Sequence, residues 1–520
     1  MAGMTTSNLG RAGLRLGRVP TAGFVVLVLG AAAMLGAIGA AKPEAALALG
    51  VLAVVGVAAL AWPEAATLLV VFLVYTNAIG VAVAWQGAPQ MVGAAAPLLL
   101  MLPIAAGLRR GERLRVNSTF GWILGLLAVQ AASTVLAVDQ GIATRQLVGF
   151  VTEGALLYLL VYNAVRTPET LARCLWVILL AAGWLALISA FQHFVSSPLR
   201  PFMGFAQVDS AFLQGRTDSP RLAGPLGDPN YYAQILLAAV PIGYVLCQRA
   251  GTFATRALAA GSTALCCVAI ALTYSRGAAV GLAFVLVVMV LVRMVRLKHV
   301  LAVAAGLVIV VLLVPTYANR VGSLSQVQGA TAEAGTDPDA DQSAQGRTTE
   351  MLAAALAFSD RPLLGVGPGG FPVVYQTYAQ RIGTGVHETT ESGSRRGEEA
   401  QREAHDIFLS IAAELGLLGL IAFCGVLWTT LRGTVRARDG GRARSADLAT
   451  ALLLSLVAYV GAGLFLTLAF ERYFWLLLAL AGAAAAMAPR RSFAAAARRA
   501  AAVPAPDRAL GAPPQRALRP

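Results

Sequence analysis

The sequence predicts an all-α fold: a polytopic membrane helix bundle of about 12–14 transmembrane helices with a large, partly helical extracytoplasmic loop. Three observations carry this. The chain of 520 residues is 58% hydrophobic and only 13% charged, where soluble domains carry about 25% charged residues. Its apolar runs are continuous, not alternating, which selects helices over a β-barrel as the spanning form. Its basic residues also gather in alternate connecting segments, as the positive-inside pattern requires.

Apolar stretches near spanning length place helices at 21–40, 45–61, 65–84, 91–107, 119–138, 146–163, 171–195, 230–247, 256–273, 277–292, 299–316, 407–430, 448–468 and 473–488. The first is long for the apolar region of a cleaved signal and reads as a span. With the N-terminus cytoplasmic, the inner segments collect Arg11, Arg15 and Arg18, then Arg109–Arg115, Arg249, Arg293 and Arg432–Arg444. They hold most of the 40 basic residues and few of the 26 acids. The net charge of +14 therefore reflects topology and an anionic inner leaflet of membrane lipids, and not nucleic-acid binding.

The chain reads as four regions. Residues 1–316 form an N-terminal bundle of about eleven helices with an outer loop at 196–229. Residues 317–406 form the large extracytoplasmic loop, residues 407–488 the C-terminal spans, and 489–520 a basic, disordered cytoplasmic tail. Inside the large loop, 322–345 and 383–401 are polar and read as mobile. A helix is predicted from Arg347 to Asp360, ended by Arg361-Pro362. A glycine-rich turn at 365–370 and a short aromatic helix with Phe371, Tyr375 and Tyr378 come next. That turn lacks a preceding strand and a Gly-Lys-Ser/Thr, so it reads as a sharp bend and not a phosphate loop. The five cysteines lie in apolar runs without metal-ligand or disulfide spacing.

The candidate chemistry sits at the predicted outer face. His405-Asp406 stands where the polar loop gives way to a span, so an imidazole able to accept a proton at neutral pH is held at the membrane surface. Asp406 either orients it or favours the helix N-terminus. Arg276, in the tight turn Thr273–Gly277, lies at headgroup depth; its planar fork suits phosphate, although arginines at helix ends also snorkel. Arg347 begins the predicted loop helix, whose first amides would add anion affinity, or is a solvated surface residue. Asp228-Pro229-Asn230 reads first as a helix-start signal, with Arg216 and Arg221 extending a cationic surface. Arg216, Arg221, Asp228, Asn230 and Asp406 are the substrate-binding candidates. Glu414, about half a turn round a straight helix from His405 and roughly 13 Å deeper, falls outside its immediate site and is expected to pair within the bundle. Glu153 is a second intramembrane acid, structural or part of a polar cavity.

Gly346-Arg347, Asp360-Arg361-Pro362-Leu363-Leu364-Gly365-Val366-Gly367, His405-Asp406-Ile407-Phe408-Leu409 and Glu414-Leu415-Gly416 together resemble the O-antigen ligase and polymerase family. Thr273–Gly277 and Gly227–Asn230 are similar to its two upstream motifs. Asp406 stands where that family commonly has Asn. The resemblance implies a bacterial inner-membrane glycosyltransferase, inverting and independent of metal or other cofactor, working on the outer face with both termini cytoplasmic. Its donor would be a glycan on undecaprenyl diphosphate. Its acceptor would be a glycan, lipid A-core or protein hydroxyl, the absence of an added soluble domain favouring ligase or polymerase. His405 would be the base, with Arg276 and Arg347 holding the diphosphate. The competing class is a transporter or flippase, for which Glu153 and Glu414 speak.

Overall fold

The computed structural model describes residues 63–89, 96–213, 220–292, 294–295, 338–382, 403–441, 443–465 and 469–488. The predicted spans 21–40, 45–61 and 299–316, the tail 489–520 and Arg216 lie outside the described residues. The chain divides into Met1–Ala66 and Thr67–Pro520. All the described helices belong to the second unit, apart from the first residues of the first helix.

Helices α1 (Pro63–Tyr75) and α2 (Ala78–Gln86) are one predicted span bent by 57°. At the bend Asn77 is left-handed, and its side-chain amide donates to the Pro225 carbonyl at 3.0 Å. Then come α3 (Met101–Arg109), α4 (Ser118–Val135), capped by the Asn117 side chain, and α5 (Gln140–Ala164). A π-helical turn over Phe150–Leu156 interrupts α5 and contains Glu153. Such a turn widens the helix locally and re-aims its side chains. After α6 (Pro168–Phe194), a small hairpin pairs β1 (Gln207–Val208) with β2 (Leu222–Gly224). Next are α7 (Pro229–Arg249), α8 (Phe253–Leu272) and α9 (Arg276–Leu291), then the loop helices α10 (Pro338–Asp360) and α11 (Phe371–Ile382). The chain closes with α12 (Ile407–Gly440), α13 (Ala443–Gly463) and α14 (Arg472–Met487).

Among the described residues, seven helices are long and apolar enough to cross a membrane, or eight if α1 and α2 count as one span. Three shorter apolar helices, Ala96–Arg109, Gly277–Leu291 and Arg472–Met487, meet the predicted spans 91–107, 277–292 and 473–488. The protein is a polytopic helical membrane protein. Its centre is α14, buried all round from Tyr473 to Ala484, as a helix apolar on every face must be. Helix α12 packs against it and against α4 and α13, while α7 packs against α6, α8 and α13. A second, small core lies in the large loop, where α10 and α11 enclose Ala353, Ala357, Val366, Phe371 and Tyr375 against Ala404.

Two expectations are corrected here. The loop helix starts at Pro338, not at Arg347, so 338–345 is helical and Arg347 lies well inside α10. The helix-terminus argument for Arg347 therefore falls, because terminal amides act only within the first turn. Helix α12 is also not straight. It breaks at Gly416 (φ 67°, ψ −166°), a conformation open essentially to glycine alone.

The break exchanges backbone bonds with the loop. The amides of Val366 and Gly367 donate to the carbonyls of Ala413 and Glu414, both at 3.0 Å, and the Leu417 amide donates to the Pro362 carbonyl at 2.7 Å. From α4, the Ser133 hydroxyl donates to the Leu364 carbonyl at 2.7 Å. A break in a spanning helix leaves polar groups that water cannot reach, and the inserted turn satisfies them. A Cβ on Gly365 would sit 2.3 Å from the Glu414 backbone, and one on Gly416 2.3 Å from that of Leu363. Glycine at both positions is what lets the two backbones meet. The glycine-rich turn is thus a bend, with left-handed Gly365, Gly367 and Gly369.

Candidate active site

The residue before α12 is held tightly. Asp406 has extended backbone and its Oδ1 accepts from the amides of Phe408 (2.9 Å) and Leu409 (2.7 Å). Of the two readings for Asp406, the geometry selects the helix cap. His405, just outside the cap, has φ 50°, an uncommon conformation for a side-chain-bearing residue. Its Nε2 lies 3.1 Å from Oε2 of Glu350 on α10, with the His405 side chain 25% and that of Glu350 4% exposed. Its Nδ1 is buried without a hydrogen-bond partner. Arg347 and Glu350 are three apart on α10, on one helix face.

Three further elements meet this segment. Glu403, two residues before His405, accepts a hydrogen bond from the Tyr231 hydroxyl in the first turn of α7. That turn is capped by Asp228, whose Oδ1 accepts from the Asn230 (2.7 Å) and Tyr231 (3.0 Å) amides. The Arg221 guanidinium then donates to the Thr273 carbonyl (2.9 Å) and to Asn230 Oδ1 (3.3 Å), with Asp209 Oδ2 at 3.7 Å. So Arg221, Asp228 and Asn230 form a joint linking the hairpin, the start of α7 and the turn 273–275. Arg276 follows that turn as the first residue of α9, after left-handed Tyr274 and the capping residue Ser275. The starts of α7, α9 and α12 thus share one end of the bundle. At the helix ends where the inner segments were predicted, Glu112 pairs with Arg166 at 2.8 Å and Arg249 with Asp447.

Beside His405 a cavity of about 600 Å³ opens, lined among others by Glu153, Glu403, Ala404, Ser410, Glu414 and Glu471. Glu153 faces Arg472 at 3.5 Å. Glu414 accepts from the Gly369 amide at 2.9 Å. Its partner is therefore a loop amide, and it opens on the same cavity as Glu403 and Ala404, which a straight α12 would not suggest. Burial pushes the Glu403 carboxyl up to about 7, opposed by the hydrogen bond from Tyr231 and by nearby His405.

Residues 261–424 match the family model described as O-antigen ligase. Over that segment, which is less than half of the chain, the protein is similar to the family. No curated relative matches closely enough to be compared with it. The matched segment runs from α8 through the loop helices into α12. It holds Arg276, Arg347, Glu350, His405, Asp406 and Glu414, whereas Arg221, Asp228 and Asn230 precede it. Sequence reasoning missed Glu350 and Glu403. Glu350 lay in the predicted loop helix and Glu403 just past the polar stretch 383–401, and only the three-residue spacing of Glu350 from Arg347 hinted at a shared face.

Proposed function

We propose that this protein is an O-antigen ligase-type glycosyltransferase that moves a glycan from undecaprenyl diphosphate to an acceptor hydroxyl at the outer face of the inner membrane. The observation that carries the proposal is His405: a histidine next in sequence to Glu403 and Ala404, which line the cavity, with one ring nitrogen held by a buried carboxylate and the other unpartnered. Such an imidazole is suited to take a proton from a sugar hydroxyl. Arg276 at the start of α9 and Arg347 on α10 would hold the diphosphate and stabilise the charge that develops as it leaves. A single displacement without metal would invert the donor's anomeric centre. The acceptor would be a lipid A-core or a growing polysaccharide, making the protein a ligase or polymerase.

The test is transfer from a defined lipid-linked donor by purified wild type, His405→Ala, Arg276→Ala and Arg347→Ala, with membrane insertion checked in each. Loss of the base should lower the rate roughly 10²- to 10⁴-fold. Wild-type rates in His405→Ala would sink the assignment of the base. Retention of anomeric configuration in the product would sink the single displacement.

The cavity and the broken α12 favour one second reading. Intramembrane acids and interrupted helices mark transport paths, and Glu153 and Glu414 both line the cavity. Donor translocation in proteoliposomes at full rate in His405→Ala, with no transfer by wild type to any acceptor, would put transport first.

A further inference from the structure

The ring of His405 is gripped at one nitrogen only. Nε2 lies 3.1 Å from Oε2 of Glu350, whose side chain is 4% exposed, and Nδ1 is buried without a partner. In a neutral imidazole one nitrogen carries the hydrogen and the other the lone pair, and the partner of the first decides which. An ionised carboxylate only accepts, so the nitrogen facing it must be the protonated one. The opposite tautomer would set a lone pair against a carboxylate oxygen at hydrogen-bond distance. His405 also has little freedom to choose another pose. Its left-handed backbone sits between buried Ala404 and the cap residue Asp406.

We infer that Glu350 is the positioning residue of His405, fixing its ring with hydrogen on Nε2 so that Nδ1 is the nitrogen that receives the acceptor's proton. This rests on the glycosyl-transfer reading above. In the step, the acceptor oxygen bonds to the donor's anomeric carbon. The bond from that carbon to the diphosphate oxygen breaks, its electron pair leaves on the diphosphate, and the hydroxyl proton ends on Nδ1. The imidazolium so formed faces the Glu350 carboxylate through Nε2–H, so the charge that appears during transfer already has its counter-ion in place. Nδ1 is shut off from water before substrate arrives, and the acceptor hydroxyl must open that face of the ring as it binds. Among the described residues, titratable groups near the ring include Glu403 on its own segment, tied to Tyr231 of α7, Asp406, engaged by the α12 amides, and Arg347 on the Glu350 face of α10.

The experiment is nitrogen NMR on full-length protein labelled with ¹⁵N-histidine, beside transfer kinetics of the same samples. The chain has 4 histidines, and His405→Gln identifies the signal. In neutral wild-type imidazole, His405 should show the Nε2–H form. Glu350→Gln can turn its amide NH₂ toward Nε2 and should shift the ring toward the Nδ1–H form. In transfer, Glu350→Gln should lower kcat roughly 10- to 1,000-fold with KM changed far less. Glu350→Asp should recover part of the rate, and Glu403→Gln should leave the tautomer as it is. An Nδ1–H ring in wild type overturns the inference even if no variant folds, and so does an unchanged ring signal in Glu350→Gln. Full transfer by His405→Ala overturns the base and the part of Glu350 in transfer together. The spectrum of wild type then tells that failure apart from a failure of the pairing.

Discussion

Glu403 is the carboxyl whose ionisation the fold resists. Its value of about 7 stands above an ordinary 4.5, so the folded chain binds this proton more readily than the unfolded chain. The stability it contributes is complete below about 4.5 and is lost as pH rises through 7. Glu403→Gln keeps a group able to bond Tyr231 and removes that loss. It should raise thermal stability at pH 8 by on the order of 1–3 kcal/mol and change little at pH 4, as thermal midpoints at the two pH values will show. A flat difference between them would mean that the folded chain holds the Glu403 proton no more readily than the unfolded chain. Asp406 is read differently. Asn and Asp are equivalent helix caps, so the Asp found where the family commonly has Asn preserves the interaction seen here. Asp406→Asn should leave stability within a few tenths of a kcal/mol, while Asp406→Ala should cost about 1 kcal/mol. Chemical denaturation in detergent distinguishes the two.

At the scale of elements, the central feature is the turn 362–367 set into the break of α12. Two stretches some fifty residues apart are locked by backbone bonds, with Gly365 and Gly416 in contact with the opposite strand of chain. Gly416→Ala imposes a backbone conformation that L-residues avoid and a Cβ against the Leu363 backbone. It should cost about 3 kcal/mol or more and expose the loop to limited proteolysis near Arg361. Wild-type resistance in that variant would mean the two backbones can separate freely. Sequence reading saw a bend at 365–370 because glycine clustering signals one. It could not see what the bend docks against, since the partner is a helix break that α12's apolar pattern conceals.

For the whole molecule, the testable quantity is orientation. The loop helices α10 and α11 pack onto the His405 end of α12, and Arg249 with Asp447 lies at the end of α7 opposite Tyr231. The proposal, following the charge asymmetry, puts the first end outside. In a cysteine-free background, Ser359→Cys should react with a membrane-impermeant thiol reagent in intact cells, and Arg436→Cys only after permeabilisation. The reverse pattern would invert the topology and place His405 in the cytoplasm, ending the outer-face proposal.

The sequence alone determined that this chain is a helical membrane protein, where most of its spans lie and which family its motifs resemble. Those properties are written in local hydropathy, charge and short motifs, each read within a window of some twenty residues. It also marked His405, because a histidine before an apolar helix is unusual wherever it packs. Only the tertiary structure decided what surrounds that histidine. Pairing with Glu350, the Tyr231–Glu403 contact, the joint made by Arg221 and the opening of Glu414 onto the shared cavity all join residues distant in sequence. They depend on how α10 folds over α12 and on a single glycine that breaks the helix below, and no local pattern carries that information.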